Sequence, residues 1–309
     1  RGRGGGARAV DTLDEGHGMQ ANGVWSLQPL ADMSAAEFRD WQVLLENRTG
    51  VVLNEQRRTF LQASLTARMR ELGIGDYHSY YRQVTDGPRG AVEWATLLDR
   101  LTVQETRFFR HPPSFELLER YLGERLRREG MPRPWALWSV GCSSGEEPYS
   151  LAMCAAQVLR GQEREDFFGV TGTDISLHAL QRARQANYPA RKLEQLEAGL
   201  VERYCERQAD GSFSVKTILT ERVCCARLNV LDLAKAPWSG MDVIFCQNLL
   251  IYFRRWRRRE ILNRLAERLA PGGLLVIGVG EVVDWSHPEL EPVADERVLA
   301  FTRKGYSGT

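Results

Sequence analysis

Apolar positions along the chain keep two different rhythms. From Ser34 to about residue 130 they recur at helical spacing. Ser34 is placed to cap a helix that carries Phe38, Trp41, Leu44 and Leu45 on one face and ends near Gly50. Asn54 opens a second predicted helix, with Phe60, Leu61, Leu65, Met69 and Leu72 apolar and Gly73 as its stop. Asp76 starts a third over "DYHSYYRQV", and "GAVEWATLLDRL" supplies a fourth. The "GMPRP" stretch at 130–134 breaks the last N-terminal helix, because proline removes a donor and clashes with the preceding turn. Beyond it, short apolar runs alternate with amphipathic segments: "WALWSV", "EEPYSLAMCAAQVL", "FFGVTGTD", "SLHALQRARQA", "MDVIFCQN", "RREILNRLAERLA" and "LLVIGVG". Such alternation predicts an α/β fold with a doubly wound, mostly parallel sheet. "RVLAFTRK" is expected to close the sheet as an edge strand. Between 188 and 227 the alternation lapses, and "SFSVKTIL" and "RVCCARLNV" read as short antiparallel strands around an "ADG" turn, a small β insertion.

The expected organisation is a flexible tail over 1–30, which is Gly-rich and aperiodic, a helical domain over 31–115, and an α/β domain over 116–309. Lys and Arg number 41 against 40 Asp and Glu, so a general nucleic-acid binder is excluded. No apolar run is as long as a bilayer span, which argues against a membrane protein. The six cysteines lack paired C-x-x-C spacing and the five histidines are scattered. Reduced thiols in a cytoplasmic protein, with no metal, are expected.

The turn inside "WSVGCSSGEEPYSLAM" (138–153) carries the first chemistry. It lies after a predicted strand and opens a helix, where doubly wound sheets bind ligands. Gly141 would let the backbone approach a ligand closely. The dinucleotide fingerprint G-x-G-x-x-G is absent, which opposes an NAD enzyme. Glu146 and Glu147 suit the helix dipole but would repel a pyrophosphate there. A ligand with ammonium and sulfonium groups tolerates them, and S-adenosyl-L-methionine has both. Asp174 ends the second strand, where it could accept from two ribose hydroxyls or cap the next helix.

Together with that turn, "LTVQETRFFRHPPSF" (101–115) and "DVIFCQNLLIYF" (242–253) resemble the CheR-type chemoreceptor methyltransferases, from about residue 34 to the C-terminus. The resemblance implies a class I, Rossmann-like methyltransferase domain with a small antiparallel β-subdomain, preceded by an all-α domain. It implies an enzyme that moves a methyl group from S-adenosyl-L-methionine to the γ-carboxylate of glutamates on the cytoplasmic helical domain of a methyl-accepting chemoreceptor; a monomer is expected. Carried over by motif, Thr106 and Arg110 line the cofactor's methionine end and Glu147 bonds its amino group. Asp174 holds the ribose, and Asn229 with Val230 the adenine. Gln247 and Asn248 close the pocket, and Tyr252 faces the methyl group. Arg110 and Tyr252 would position the substrate carboxylate, while Phe108, Phe109 and Phe253 serve the core. Gln104 stands where the family commonly has Asn, and Gln247 where it commonly has Arg. Those departures suit a member of a secondary pathway, such as one controlling surface motility. They also keep open a catalytically weak module that docks on receptor arrays.

The partner surfaces are equally uneven. Family members approach acidic receptor helices with a basic second helix; here it keeps Arg57, Arg58, Arg68 and Arg70, but has Ser64 and Ala67 where Arg is frequent. The short "RQADGS" replaces a longer Gly-rich loop that grips a C-terminal tether peptide in some members, so a tether-independent receptor contact is expected. "RRWRRR" at 254–259 opposes the dipole at a helix start, and reads either as a solvated face or as a contact for an acidic protein or membrane surface.

Overall fold

The computed structural model describes residues 31–102, 105–130, 132–162 and 167–305. The tail read over 1–30 and the candidate Gln104 lie outside the described residues. From Asp32 onward the chain belongs to one compact unit.

Helix α1 (Ala35–Thr49) starts in a capping box. Ser34 Oγ accepts from the Glu37 amide at 3.2 Å, while the Glu37 carboxylate accepts from the Ser34 amide at 2.8 Å. It stops at Gly50, whose φ of 77° suits a residue without a Cβ. Helices α2 (Arg58–Leu72), α3 (Tyr77–Thr85) and α4 (Gly87–Leu101) follow, and Trp41, Leu65, Met69, Tyr80 and Leu97 bury their shared faces. Two details differ from the sequence expectation. Asn54 makes no side-chain cap bond and precedes a 3-10 turn over Glu55–Arg57, after which α2 begins. Phe60 lies on the solvent side of α2. The basic face of α2 is also partly consumed from within. Arg68 grips the buried Glu93 with two bonds of 2.8 and 2.7 Å and reaches Glu71 at 2.9 Å, while Arg58 pairs with Glu55.

Helix α5 (Pro112–Glu129) leads to the sheet. Its strands and helices run in the order β1 (Trp135–Val140), α6 (Glu146–Leu159), β2 (Phe168–Asp174), α7 (Leu177–Gln185), β3 (Asn187–Tyr188), α8 (Ala198–Tyr204), β4 (Cys205–Arg207), β5 (Phe213–Val215), α9 (Thr217–Thr220), β6 (Val223–Arg227), β7 (Met241–Cys246), α10 (Arg255–Ala266), β8 (Leu269–Ile277), β9 (Leu290–Pro292) and β10 (Leu299–Arg303). Spatially the main sheet is β6-β2-β1-β7-β8-β10-β9, with a separate sheet β3-β5-β4. Strands β6, β2, β1, β7 and β8 are parallel, β10 runs antiparallel to β8, and β9 runs antiparallel to β10.

Two strand assignments are corrected by this pairing. "RVCCARLNV" is not part of the antiparallel insertion: β6 lies parallel to β2 in the main sheet, and only β3, β4 and β5 form the small sheet. Nor is β10 the edge, since the three-residue β9 covers it. The chain starts in the middle at β1, moves outward to β2 and β6, then returns through β7 and β8. Its topological switch point therefore lies between the carboxyl ends of β1 and β7, where ligands bind in such sheets. At the opposite end of β7, the fully buried Asp242 takes both guanidinium nitrogens of Arg133 at 2.7 and 2.8 Å, Arg125 at 2.7 Å and the Ala136 amide at 2.8 Å. That carboxylate ties α5 and the linker to the sheet. Among the described residues no helix is long and apolar enough to cross a membrane.

Candidate active site

A cleft open to solvent sits at the switch point. Thr106, Arg110, Gly141, Glu147, Asp174, Asn229, Val230, Gln247, Asn248 and Tyr252 all line it. Every described residue of the candidate catalytic and cofactor set is thus brought to one place. Its walls come from the ends of α1 and α4 as well as from the sheet, through Thr49, Leu98 and Leu101.

The turn after β1 is shaped by packing. A Cβ on Gly145 would fall 2.7 Å from the Tyr188 hydroxyl and 2.9 Å from Ala183 Cα, so no other residue fits between the turn and α7. Ser143, with φ 49°, turns its amide to Asp174 at 2.9 Å and leaves a buried hydroxyl without a partner among the described residues. Asp174 accepts a second bond from the Ser176 amide at 2.9 Å. Ser176, not Asp174, caps α7, which removes the capping explanation for the acid. Burial pushes the Asp174 carboxyl up against the effect of these amides, and its remaining lone pairs are free to accept from hydroxyls.

The two glutamates of the turn have separate fates. Glu146 is fully buried, paired with Lys192 at 2.9 Å and bonded by Ser144 at 2.7 Å. Glu147 faces the cleft and accepts from Ser139 Oγ at 2.7 Å. Burial raises its pKa to about 7, with Glu281 adding to the rise and Arg110 opposing it. A carboxyl in that condition is stabilised by a cation brought into the cleft.

Arg110 reaches the cleft through backbone strain next to it. Phe109 holds φ 48°, a costly region for an aromatic residue. Its amide is fixed by Ser150 Oγ at 3.0 Å and its ring packs 4.8 Å from Phe115. Arg110 Nη1 donates to the Glu105 carbonyl at 2.7 Å. Phe108 and Phe253 are buried, as expected of core aromatics.

The loop after β7 is held by an acid that the sequence reading missed. Glu281, buried after β8, accepts from the Asn248 and Leu250 amides, the latter at 2.7 Å. A Cβ on Gly278 would stand 1.6 Å from its Oε1, so this carboxylate needs that glycine. Asn248 takes φ 59°, which asparagine tolerates. Gln247 is buried and donates to Ser114 Oγ at 2.9 Å, which contacts His111 Nδ1 at 2.8 Å. Tyr252 is half-buried, its hydroxyl unbonded among the described residues. The Arg57 guanidinium lies 5.7 Å from its ring and 5.4 Å from the Phe60 ring. Asn229 spends its side chain on structure: Nδ2 donates to the Arg48 carbonyl at 2.8 Å, and Oδ1 accepts from Leu231 at 3.1 Å.

The donor set fits S-adenosylmethionine. Glu147 would take its ammonium, Asp174 its ribose hydroxyls, and the orphaned Ser143 hydroxyl a polar atom of the same ligand. Comparison with known sequences agrees. Residues 104–299 match the family description "CheR methyltransferase, SAM binding domain", and residues 36–102 match "CheR methyltransferase, all-alpha domain". A chemotaxis protein methyltransferase of Escherichia coli is 34% identical over 83% of this chain and 87% of its own length. Chemotaxis protein methyltransferase 1 of Pseudomonas aeruginosa is 32% identical over 82% of this chain and 93% of its own. The chain belongs to the CheR methyltransferase family, with S-adenosylmethionine as its cofactor.

Proposed function

We propose that the protein methylates glutamate side chains on the cytoplasmic helical domain of a methyl-accepting chemoreceptor, producing glutamyl methyl esters in sensory adaptation. The names of its relatives, chemotaxis protein methyltransferases, support that setting. The observation that carries the chemistry is the division of charge in the cleft. Glu147 and Asp174 lie on the β1–β2 side, whereas Arg57 stands against Tyr252 on the β7 side and Arg110 lies close enough to Glu147 to oppose its raised pKa.

When bound, the cofactor supplies a methyl group activated by a sulfonium. A substrate glutamate is ionised at pH 7, so no general base is required. What the residues must provide is placement. Arg110 can engage one carboxylate oxygen and the free Tyr252 hydroxyl can donate to it, leaving the other oxygen in line at about 3–3.5 Å from the methyl carbon. A stronger pairing would damp the nucleophile, so the role of both residues is orientation. Gln247 gives its amide to Ser114, and the balancing charge falls to Arg110 and Arg57. The helices of residues 31–115 would form the platform on which the substrate lies. The turn between β4 and β5 is closed on itself, with Gly211 bonded to Gln208 at 3.0 Å and Asp210 to the Ser212 amide at 2.9 Å. That favours substrate binding without a tether peptide.

The test is transfer of radiolabelled methyl groups from the cofactor to receptor cytoplasmic fragments. Base-labile label on the receptor is expected, with kcat/KM lowered about a hundredfold in Arg110→Ala. Label stable to mild base would refute ester formation. The neutral Gln247 favours a second reading, a docking module without efficient catalysis. It predicts binding of S-adenosylhomocysteine with no label at all.

A further inference from the structure

The start of α10 carries charge and apolar surface that the cleft does not use. Its N-cap is Arg254, which makes no capping bond, and its first turn holds no acid. The opposite arrangement, Ser34 before α1 and two glutamates opening α6, shows what a helix start without another demand looks like. Arg254 pairs with Glu46, and Arg257 with Glu260 at 2.6 Å. Arg255 is exposed and has no partner among the described residues. Arg258 and Arg259 donate to backbone carbonyls, leaving their charge unmatched by a carboxylate: Arg258 bonds Phe253 at 2.8 Å, Glu281 at 2.8 Å and Ile251 at 3.3 Å, and Arg259 bonds Asp284 at 2.6 Å. Around these five arginines stand the acids Glu46, Glu260, Asp284 and the buried Glu281.

The same bonds tie three segments together. A single guanidinium, that of Arg258, joins the turn after β7, the first turn of α10 and the loop after β8. On those segments Trp256 is 56% exposed, Ile251 50%, Val279 59% and Val283 60%, among the largest exposed apolar side chains of the described chain. The Arg257 guanidinium lies 4.1 Å from the Trp256 ring. Isolated apolar residues at a surface are ordinary, but a cluster rimmed by unmatched charge marks a contact site. It also borders the site of reaction. Ile251 lines the cleft, and Tyr252 is four residues from Trp256, a span of at most about 14 Å.

We propose that Ile251, Arg255, Trp256, Val279 and Val283 form a docking ridge for the acidic, amphipathic helical segment that bears the target glutamate. The proposal rests on the methylation reading above and names the surface that receives its substrate. Charge complementarity selects the occupant: a helix that presents glutamates offers carboxylates to Arg255 and apolar positions to Trp256 and the two valines. The ridge holds such a helix along the rim, and one glutamate at a time then enters beside Tyr252.

The experiment uses the full chain and a receptor cytoplasmic fragment, with wild type, Arg255→Glu, Trp256→Ala, the double variant and Trp256→Phe. Neither residue lines the cleft, so S-adenosylhomocysteine affinity measured by calorimetry serves as the check on folding. The expected result is a KM for the fragment raised roughly tenfold in the double variant, with kcat and S-adenosylhomocysteine affinity unchanged. Trp256→Phe restores most of the loss. Raising ionic strength weakens wild type more than Arg255→Glu. An unchanged KM in the double variant, with wild type active, overturns the ridge and leaves the methylation reading standing. Loss of binding to anionic lipid vesicles in the variants, with KM unchanged, also overturns it in favour of a lipid surface. A wild type that binds S-adenosylhomocysteine but labels no receptor fragment defeats the methylation reading itself, and the ridge with it.

Discussion

At the scale of single residues, the cleft is defined by groups held in states that a ligand would relieve. Glu147 is the clearest. Its carboxyl sits near pH 7 because burial penalises the charged form, and Arg110 and Ser139 compensate only in part. Below about 7 the empty site carries a proton there, while an ammonium group needs the ionised carboxylate. Affinity for S-adenosylhomocysteine should therefore strengthen as pH rises from 5.5 to 7.5, by up to about tenfold per unit, and then level off. Calorimetric titration across that range would show it, and Glu147→Gln should bind more weakly with a flat profile. Flat affinity in wild type would remove Glu147 as the ammonium partner. In the unliganded protein the same raised pKa works on folding. The folded state holds the proton more tightly than the unfolded chain, so this contribution to stability is complete below about 4.5 and is lost as pH rises through about 7. Ser143, with its unpartnered hydroxyl, and Phe109, with its left-handed backbone, are similarly committed to the site at a cost.

At the scale of elements, legibility followed burial. Strand β1 and helix α6 could be read at their exact bounds because both are almost wholly buried and their apolar runs are continuous. Strand β6 was misread because it lies at the sheet edge and buries only Cys225 of five residues, so its sequence lacks the mark of a central strand. The three residues of β9 are too short to carry any pattern, which is why β10 read as the edge. Site residues on motif stretches were legible. Glu281 and the pairing of Arg68 with Glu93 were not, because their partners lie 31–33 and 25 residues away and no local spacing announces them. The same holds for Asp242, the buried anchor of α5. Asp242→Ala would remove two ion pairs and the bond to Ala136, leaving Arg125 to Glu129 and the half-exposed Arg133 to solvent, and should cost roughly 1.5–3 kcal/mol in urea unfolding. A loss under 1 kcal/mol would mean that α5 is held by its apolar face alone. That face buries Phe115, Leu118 and Leu122 against the sheet.

For the molecule as a whole, the cleft belongs to neither the helices nor the sheet alone. The end of α1 is seated against the sheet side: a Cβ on Gly50 would meet Leu231 and Phe253, each at 2.9 Å. Asn229 fastens the Arg48 carbonyl, and Arg254 fastens Glu46. Leu45, Thr49, Leu98 and Leu101 then line the same space as Gly141 and Asp174. A ligand in that space contacts both halves, so binding should order them together. At a hundred times its dissociation constant, S-adenosylhomocysteine should add about 2.7 kcal/mol to stability. Hydrogen exchange should slow both in the turn at 141–147 and in the last turn of α1. Asn229→Ala removes the clasp on Arg48 without touching Glu147 or Asp174. It should weaken binding by about threefold to tenfold and abolish the added protection of α1 while keeping that of the turn. If α1 gains no protection even in wild type, the helices are a passive wall. The cofactor would then act through the sheet alone, and the helices would take no part in closing the site around the substrate.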